Sequence, residues 1–213
     1  MKLGIYIHIP FCKQKCYYCD FPSYAGKEAC QDSYLDALLF EIRKEGRAYQ
    51  DRIVDTVFFG GGTPSLLGGD KINELVAAAK EHFVCDGEVT VECNPSCVED
   101  NFFEKIACAG VNRISLGLQS AVDKERKILG RQSDKKRVTE VIKLLKSNGI
   151  TNISLDVMLG IPYQTKESLK ETLDFVIESK VPHISAYMLK IEEGTHFYKC
   201  YDKYDFPDDE KTI

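Results

Sequence analysis

The feature that most restricts the fold of this chain is an alternation of short apolar runs with amphipathic segments through most of its length. Six runs read as strands, and segments with the 3.6-residue period of helices follow them. The predicted strands are residues 3–9, 54–59, 89–92, 114–118, 153–158 and 184–189. The predicted helices are residues 32–48, 71–83, 98–109, 134–147 and 166–179, with residues 123–129 in the connection after the fourth strand and Gly149 closing the helix that ends at residue 147. Such a repeat favours parallel strands joined by crossover helices.

Two α/β architectures share this pattern, a barrel and an open doubly wound sheet, and periodicity alone does not separate them. A complete eight-stranded barrel takes about 250 residues, whereas this chain has 213. Six units therefore indicate an incomplete or truncated barrel. The pattern ends after Glu193. We expect residues 1–197 to form the core, and residues 198–213 to begin a linker to a C-terminal domain that this chain lacks.

Charge and composition exclude several classes of protein. The net charge of -5 gives no basic footprint for nucleic acid. No apolar run reaches the roughly 18 residues of a transmembrane helix, and Met1 leads into a predicted strand without a signal peptide. These features predict a cytoplasmic protein. The nine cysteines then indicate metal binding rather than a disulfide scaffold.

Three of the cysteines form a tight cluster directly after the first predicted strand. Cys12, Cys16 and Cys19 lie in a CxxxCxxC segment, at the end of the sheet where barrels and doubly wound sheets place their sites. A structural zinc ion takes four protein ligands, usually from paired motifs, and the sequence has no second CxxC. Three thiolates instead suit a 4Fe-4S cluster with one iron left open for a ligand. Cys93 and Cys97 are predicted to lie nearby.

Polar residues follow or interrupt several of the other strands. Glycines at 60–62 precede Thr63, and this run would let a ligand approach the backbone and pair with its exposed amides, although a tight turn explains it equally well. Buried polar groups are costly unless they are paired, so a shared polar ligand is the simplest explanation for the others. These others are Glu92, Gln119 and Asp156, with Arg131 as a clamp for a carboxylate. Tyr6 and His8 share one face of the first strand, and Arg113 is expected to be structural.

The CxxxCxxC segment, with the aromatic Tyr18 before its third cysteine, resembles the radical S-adenosylmethionine (SAM) superfamily. The resemblance implies that the open iron chelates the amino and carboxylate groups of SAM. One electron from the reduced cluster would then yield methionine and a 5′-deoxyadenosyl radical. In that superfamily a GGE-like motif follows the second strand, and here Thr63 replaces its acid.

Further motifs closely resemble the oxygen-independent coproporphyrinogen III oxidase family, HemN and its relative HemW, over residues 3–197. They are YIHIPFC at 6–12, FGGGTPS at 59–65, ECNP at 92–95, RISLGLQS at 113–120, LGR at 129–131, DVMLGIPYQT at 156–165 and IEEGT at 191–195. The implied fold is a partial TIM barrel, a (βα)6 three-quarter barrel, followed by a helical C-terminal domain. The positions that match SAM contacts, some in the first SAM site of the oxidases and some in the second, are Tyr6, Tyr18, Gly61, Gly62, Thr63, Glu92, Gln119, Arg131 and Asp156.

Two departures from the oxidases favour the haem-chaperone branch of the family, HemW. The oxidases carry a fourth cysteine where this chain has Phe21, and they carry an N-terminal extension that it lacks. The alternatives are oxidative decarboxylation of coproporphyrinogen III, and an iron-sulfur binding module without turnover. The resemblance implies SAM, an electron donor such as flavodoxin or ferredoxin, haem or a porphyrinogen, and haem-receiving proteins as partners.

Overall fold

The computed structural model describes residues 2–99 and 101–207, and its main element is a six-stranded parallel sheet. The strands are β1 (Lys2–Ile9), β2 (Phe11–Cys12), β3 (Tyr24–Ala25), β4 (Ile53–Gly61), β5 (Val84–Cys93), β6 (Arg113–Gln119), β7 (Asn152–Leu159) and β8 (His183–Met188). The helices are α1 (Gln31–Ala48), α2 (Gly69–His82), α3 (Phe102–Ala109), α4 (Asp123–Ile128), α5 (Lys135–Ser147), α6 (Lys166–Ser179) and α7 (His196–Lys199). Among the described residues, no helix is long and apolar enough to cross a membrane.

The strand order decides between the two architectures that the sequence left open. The large sheet runs β1-β4-β5-β6-β7-β8, so its strands are neighbours in the order in which they occur along the chain. A doubly wound sheet reverses direction at a switch point, and this order has no reversal. Right-handed crossovers then place all the helices on one face and leave the other face as the interior of a barrel. The structure confirms the predicted partial barrel.

The two faces of the sheet have opposite chemistry. Side chains such as Ile7, Phe59 and Leu116 point outward, where they are buried beneath the helices. On the inner face, Glu92 of β5 pairs in register with Ser115 of β6, and polar residues continue onto β7. Burial of the outer face supplies the hydrophobic core. The inner face is therefore free to carry polar groups.

Two predicted boundaries were wrong. The predicted helix 98–109 begins only at Phe102, because the chain first makes a 3-10 turn at Pro95–Cys97 and Val98 is extended. The predicted strand 89–92 begins earlier, at Val84, and its first half pairs with β4. This half is exposed and polar, so the sequence shows no hydrophobic period there. The cap at Gly149 is confirmed by its left-handed φ of 80°.

A second, smaller hydrophobic core holds the segment after β8 against the cysteine loop. Its buried members are Leu129, Met158, Ile161 and Phe197. The amide of Tyr17 donates to the carbonyl of Leu129 at 3.1 Å, and the amide of Phe197 donates to the carbonyl of Tyr17 at 3.0 Å. Tyr204 and Phe206 pack on this core as well. A boundary between core and linker at residue 197 stays a prediction.

Replacement of Phe197 by Ala should lower the free energy of unfolding by about 3–5 kcal/mol, because it leaves a cavity in the second core. Phe197 is 0% exposed, whereas its neighbour Tyr198 is 51% exposed and makes a matched control. Urea unfolding monitored by circular dichroism measures both variants. Equal effects of Phe197→Ala and Tyr198→Ala would contradict the proposed role of the second core.

Candidate functional site

The three clustered cysteines lie on one loop between β1 and α1, and backbone bonds fix this loop. Cys12 ends the short strand β2, which pairs with β3. The amide of Cys19 donates to the carbonyl of Cys16 at 3.2 Å, and Lys15 Nζ donates to the carbonyl of Phe21 at 2.9 Å. The loop therefore turns back on itself and presents its cysteines toward the barrel.

The cysteine side chains fit an iron-sulfur cluster better than a single metal ion. All three thiols are free and line the same cavity of about 520 Å³. In the described part of the chain, no three His, Cys, Asp or Glu side chains are close enough to bind one metal ion. A 4Fe-4S cluster separates its thiolate ligands across a larger body than a zinc ion does. Cys12, Cys16 and Cys19 are thus the residues that would hold it.

The glycine run after β4 brings the backbone against the cysteine loop. A methyl group added at Gly62 would lie 2.7 Å from the carbonyl oxygen of Phe11 and 3.1 Å from Cys12 Sγ, so only glycine fits there. The amides of Gly61, Gly62 and Thr63 donate to Glu92 Oε2, the Ile9 carbonyl and the Phe11 carbonyl at 3.2, 2.8 and 2.8 Å. The expectation that exposed amides of this run pair with a ligand is therefore wrong for these three residues, because their N–H groups are already bonded within the protein. The carbonyl oxygens remain as the groups that this run can offer to a ligand.

Two carboxyl groups face the interior of the barrel from neighbouring parts of the sheet. Burial, together with the nearby Asp156, raises the pKa of Glu92 to about 7. Burial also raises the pKa of Asp156 to about 6, although Ser115 Oγ donates to its Oδ1 at 2.9 Å and Arg131 and Arg113 lie near. Both groups therefore bind a proton more readily than free carboxyl groups do. A ligand that carries positive charge or donors would favour the ionised forms.

Arg131 extends into the same cavity from the loop after α4. Its Nη2 donates to the hydroxyl of Tyr18 at 3.0 Å. Its Nε is buried and has no hydrogen-bond partner among the residues that the structure describes. A buried donor without a partner costs about 1–3 kcal/mol. Arg131 also lines the cavity, and its guanidinium group is suited to an anionic group of a ligand.

Gln119 ends β6 in a left-handed conformation with a φ of 67°, which is unusual for a residue other than glycine. It is 1% exposed, and its side-chain oxygen accepts a hydrogen bond from Tyr187 of β8 at 2.5 Å. Sequence reasoning missed Tyr187. Tyr187 reaches the site through the pairing of β7 with β8, in which it lies opposite Met158.

Every predicted site residue except Tyr6 lines the cavity. The hydroxyl of Tyr6 lies 3.2 Å from Nδ1 of His8, whose Nε2 lies 2.8 Å from the carbonyl oxygen of Pro22. A carbonyl only accepts, so Nε2 donates to it. Both ring nitrogens of His8 thus have hydrogen-bond partners within the protein. Arg113 lines the cavity and also bonds to Thr90 at 3.3 Å.

Comparison with known proteins agrees with this geometry. The family model described as the Radical SAM superfamily matches residues 6–176, which is more than half of the chain. The chain belongs to the radical SAM superfamily. Membership implies a 4Fe-4S cluster and SAM as cofactors.

Individual relatives narrow the position of the chain within the radical SAM superfamily. It is 42% identical over 198 residues to the haem chaperone HemW of Escherichia coli, covering 92% of this chain and 52% of that protein. It is 38% identical to HemW of Haemophilus influenzae, covering 98% and 56%. The chain therefore spans about half the length of these curated relatives.

Solved structures of radical SAM proteins share the fold. Coproporphyrinogen III oxidase (HemN) of Escherichia coli superposes with a TM-score of 0.89 at 27% identity, covering 98% of this chain and 49% of that chain. Elp3 of Methanocaldococcus infernus superposes with a TM-score of 0.70 at 14% identity, covering 99% and 51%. The likeness to Elp3 shows the fold alone.

Replacement of Glu92 by Gln should make the ligand-free protein more stable at pH 8. Folding raises the pKa of Glu92 from 4.5 to about 7. The unfolded chain therefore releases this proton more readily, and the free energy of unfolding falls as pH rises from about 4.5 through 7. The variant should gain roughly 2 kcal/mol at pH 8 and lose part of this pH dependence.

Urea unfolding at pH 5 and pH 8 measures this effect, with the exposed Glu74 of α2 as a control. Glu74→Gln should show the pH dependence of the unmodified chain. If Glu92→Gln also left that dependence unchanged, Glu92 would not carry the raised pKa.

Proposed function

We propose that this chain is the SAM-binding core of a HemW-type haem chaperone. The observation that carries the proposal is the joint placement of three free thiols, Glu92 and Arg131 around one cavity. When bound, the reduced 4Fe-4S cluster would supply the electron that cleaves SAM reductively. An electron donor such as flavodoxin or ferredoxin would deliver that electron.

The residues of the chain would bind and orient the methionine part of SAM. Arg131 would pair with an anionic group, while Glu92 and Asp156 would accept from donors or stabilise positive charge. The carbonyl oxygens of Gly61 and Gly62 would accept from the ammonium group. Tyr18 would hold Arg131 in place through its bond at 3.0 Å.

The chaperone function is favoured over porphyrinogen oxidation by Phe21 and by the HemW relatives. Phe21 lines the cavity and is 61% exposed, in the position where the oxidases of the resembled family have a fourth cysteine. Haem, its receiving proteins and a cytoplasmic location belong to this proposal for the whole protein. The second candidate is coproporphyrinogen III oxidase activity, which the superposition with HemN supports.

Cysteine substitutions test the proposed cluster directly. After anaerobic reconstitution, the unmodified chain should hold about four irons. Cys16→Ala and Cys19→Ala should each lose most of this iron and the electron paramagnetic resonance (EPR) signal of the reduced cluster. Cys108→Ala, at an exposed position of α3, should retain both. Full iron content in the Cys16 and Cys19 variants would exclude the proposed ligands.

Product analysis of the full-length protein separates the candidate functions. SAM, a reductant and either haem or coproporphyrinogen III are added anaerobically, and products are followed by mass and absorbance. Haem binding and transfer without porphyrinogen conversion is the expected result. Loss of two carboxyl groups from coproporphyrinogen III would establish the oxidase instead. Absence of 5′-deoxyadenosine together with absence of haem binding would leave a binding module without turnover.

A further inference from the structure

Tyr187 lies on β8, the edge strand of the sheet, and its hydroxyl reaches across the cavity to Gln119. The separation between the Tyr187 oxygen and Gln119 Oε1 is 2.5 Å. O–H···O bonds have separations of about 2.5–3.0 Å, whereas N–H···O bonds rarely fall below about 2.7 Å. The distance therefore fits the amide oxygen, rather than the amide nitrogen, facing Tyr187.

This orientation turns the NH2 group of Gln119 toward Arg131. A methyl group added at Gly117 would lie 3.2 Å from Gln119 Nε2 and 3.1 Å from Arg131 Nη1, so the two nitrogens lie close to one point. Both groups are donors and neither can accept from the other. Because both residues line the cavity, they suit a ligand group that accepts from both, such as a carboxylate.

In the opposite orientation, the Gln119 amide would no longer present a donor beside Arg131. Rotation of the amide by about 180° would place Gln119 Oε1 beside Arg131, where it could accept from the guanidinium group. One more N–H group of Arg131 would then be bonded within the protein and would be less available to an anionic ligand. Some other contact must hold the amide in the orientation that leaves Arg131 available.

We infer that Tyr187 is this contact, a positioning residue that fixes the Gln119 amide so that Gln119 and Arg131 together present donors to SAM. The inference rests on the proposed SAM-binding function. Burial raises the pKa of Tyr187, so the hydroxyl keeps its proton and remains a donor. Removal of the hydroxyl would let Gln119 pair with Arg131.

The test measures the affinity for SAM of the anaerobically reconstituted chain by equilibrium dialysis with radiolabelled SAM. Tyr187→Phe should weaken binding about five- to tenfold, the effect of losing one oriented hydrogen-bonding group. Tyr49→Phe, at an exposed position at the end of α1, is the matched control and should bind as the unmodified chain does. At saturating SAM, the EPR spectrum of Tyr187→Phe should equal that of the unmodified chain.

A double-mutant cycle with Gln119→Met separates positioning from a general structural role. If Tyr187 acts through the amide, Tyr187→Phe should change SAM affinity less than about twofold once Gln119 is Met. Additive losses, an altered saturated spectrum, or unchanged affinity of Tyr187→Phe would each overturn the inference while the SAM site stands. Absence of SAM binding by the unmodified chain would instead overturn the proposed function, and this inference with it.

Discussion

The alternation of side chains along parallel strands is the constraint on which the rest of the structure depends. Because the strands are neighbours in chain order, the crossover helices lie on one face of the sheet. Residues on that face, such as Ile7, Phe59 and Leu116, are buried and stabilise the fold. The residues between them point inward and contribute little to that core. Stability and binding therefore use different residues of the same strands, and Glu92 can lie beside the fully buried Val91 without disrupting the core.

The cysteine loop needs support from residues that are distant in sequence. Its Lys13-Gln14-Lys15 segment is exposed and supplies no core of its own. Tyr17 instead joins two remote backbone segments, since it donates to Leu129 and accepts from Phe197. The ring of Tyr17 also stacks on His196 with a centroid distance of 4.2 Å. The placement of the thiols thus depends on contacts made after the last strand of the barrel.

Local sequence patterns predicted the strands, most helices and the polar residues of the cavity, because periodicity and strand ends are short-range features. The contacts that complete the site are long-range. Tyr187 meets Gln119 across 68 residues, and Arg131 meets Tyr18 across 113. The sequence around Tyr187 predicts a strand and does not mark Tyr187 as a site residue. The glycine run was predicted as a place of close approach, but periodicity could not show that its N–H groups bond to Glu92 and to the backbone of the first strand and cysteine loop.

The cavity contains groups whose arrangement is unfavourable to folding alone. Glu92 and Asp156 have raised pKa values, Arg131 has an unpaired buried nitrogen, and Gln119 adopts a left-handed backbone. Apolar residues in place of Glu92, Asp156 and Arg131 would avoid the cost of burying polar groups, so their presence in one cavity indicates a ligand that pairs with them. Two carboxyl groups and a guanidinium group that line one cavity are complementary to a zwitterion with additional positive charge. The amino acid part of SAM, with its sulfonium, has this distribution of charge.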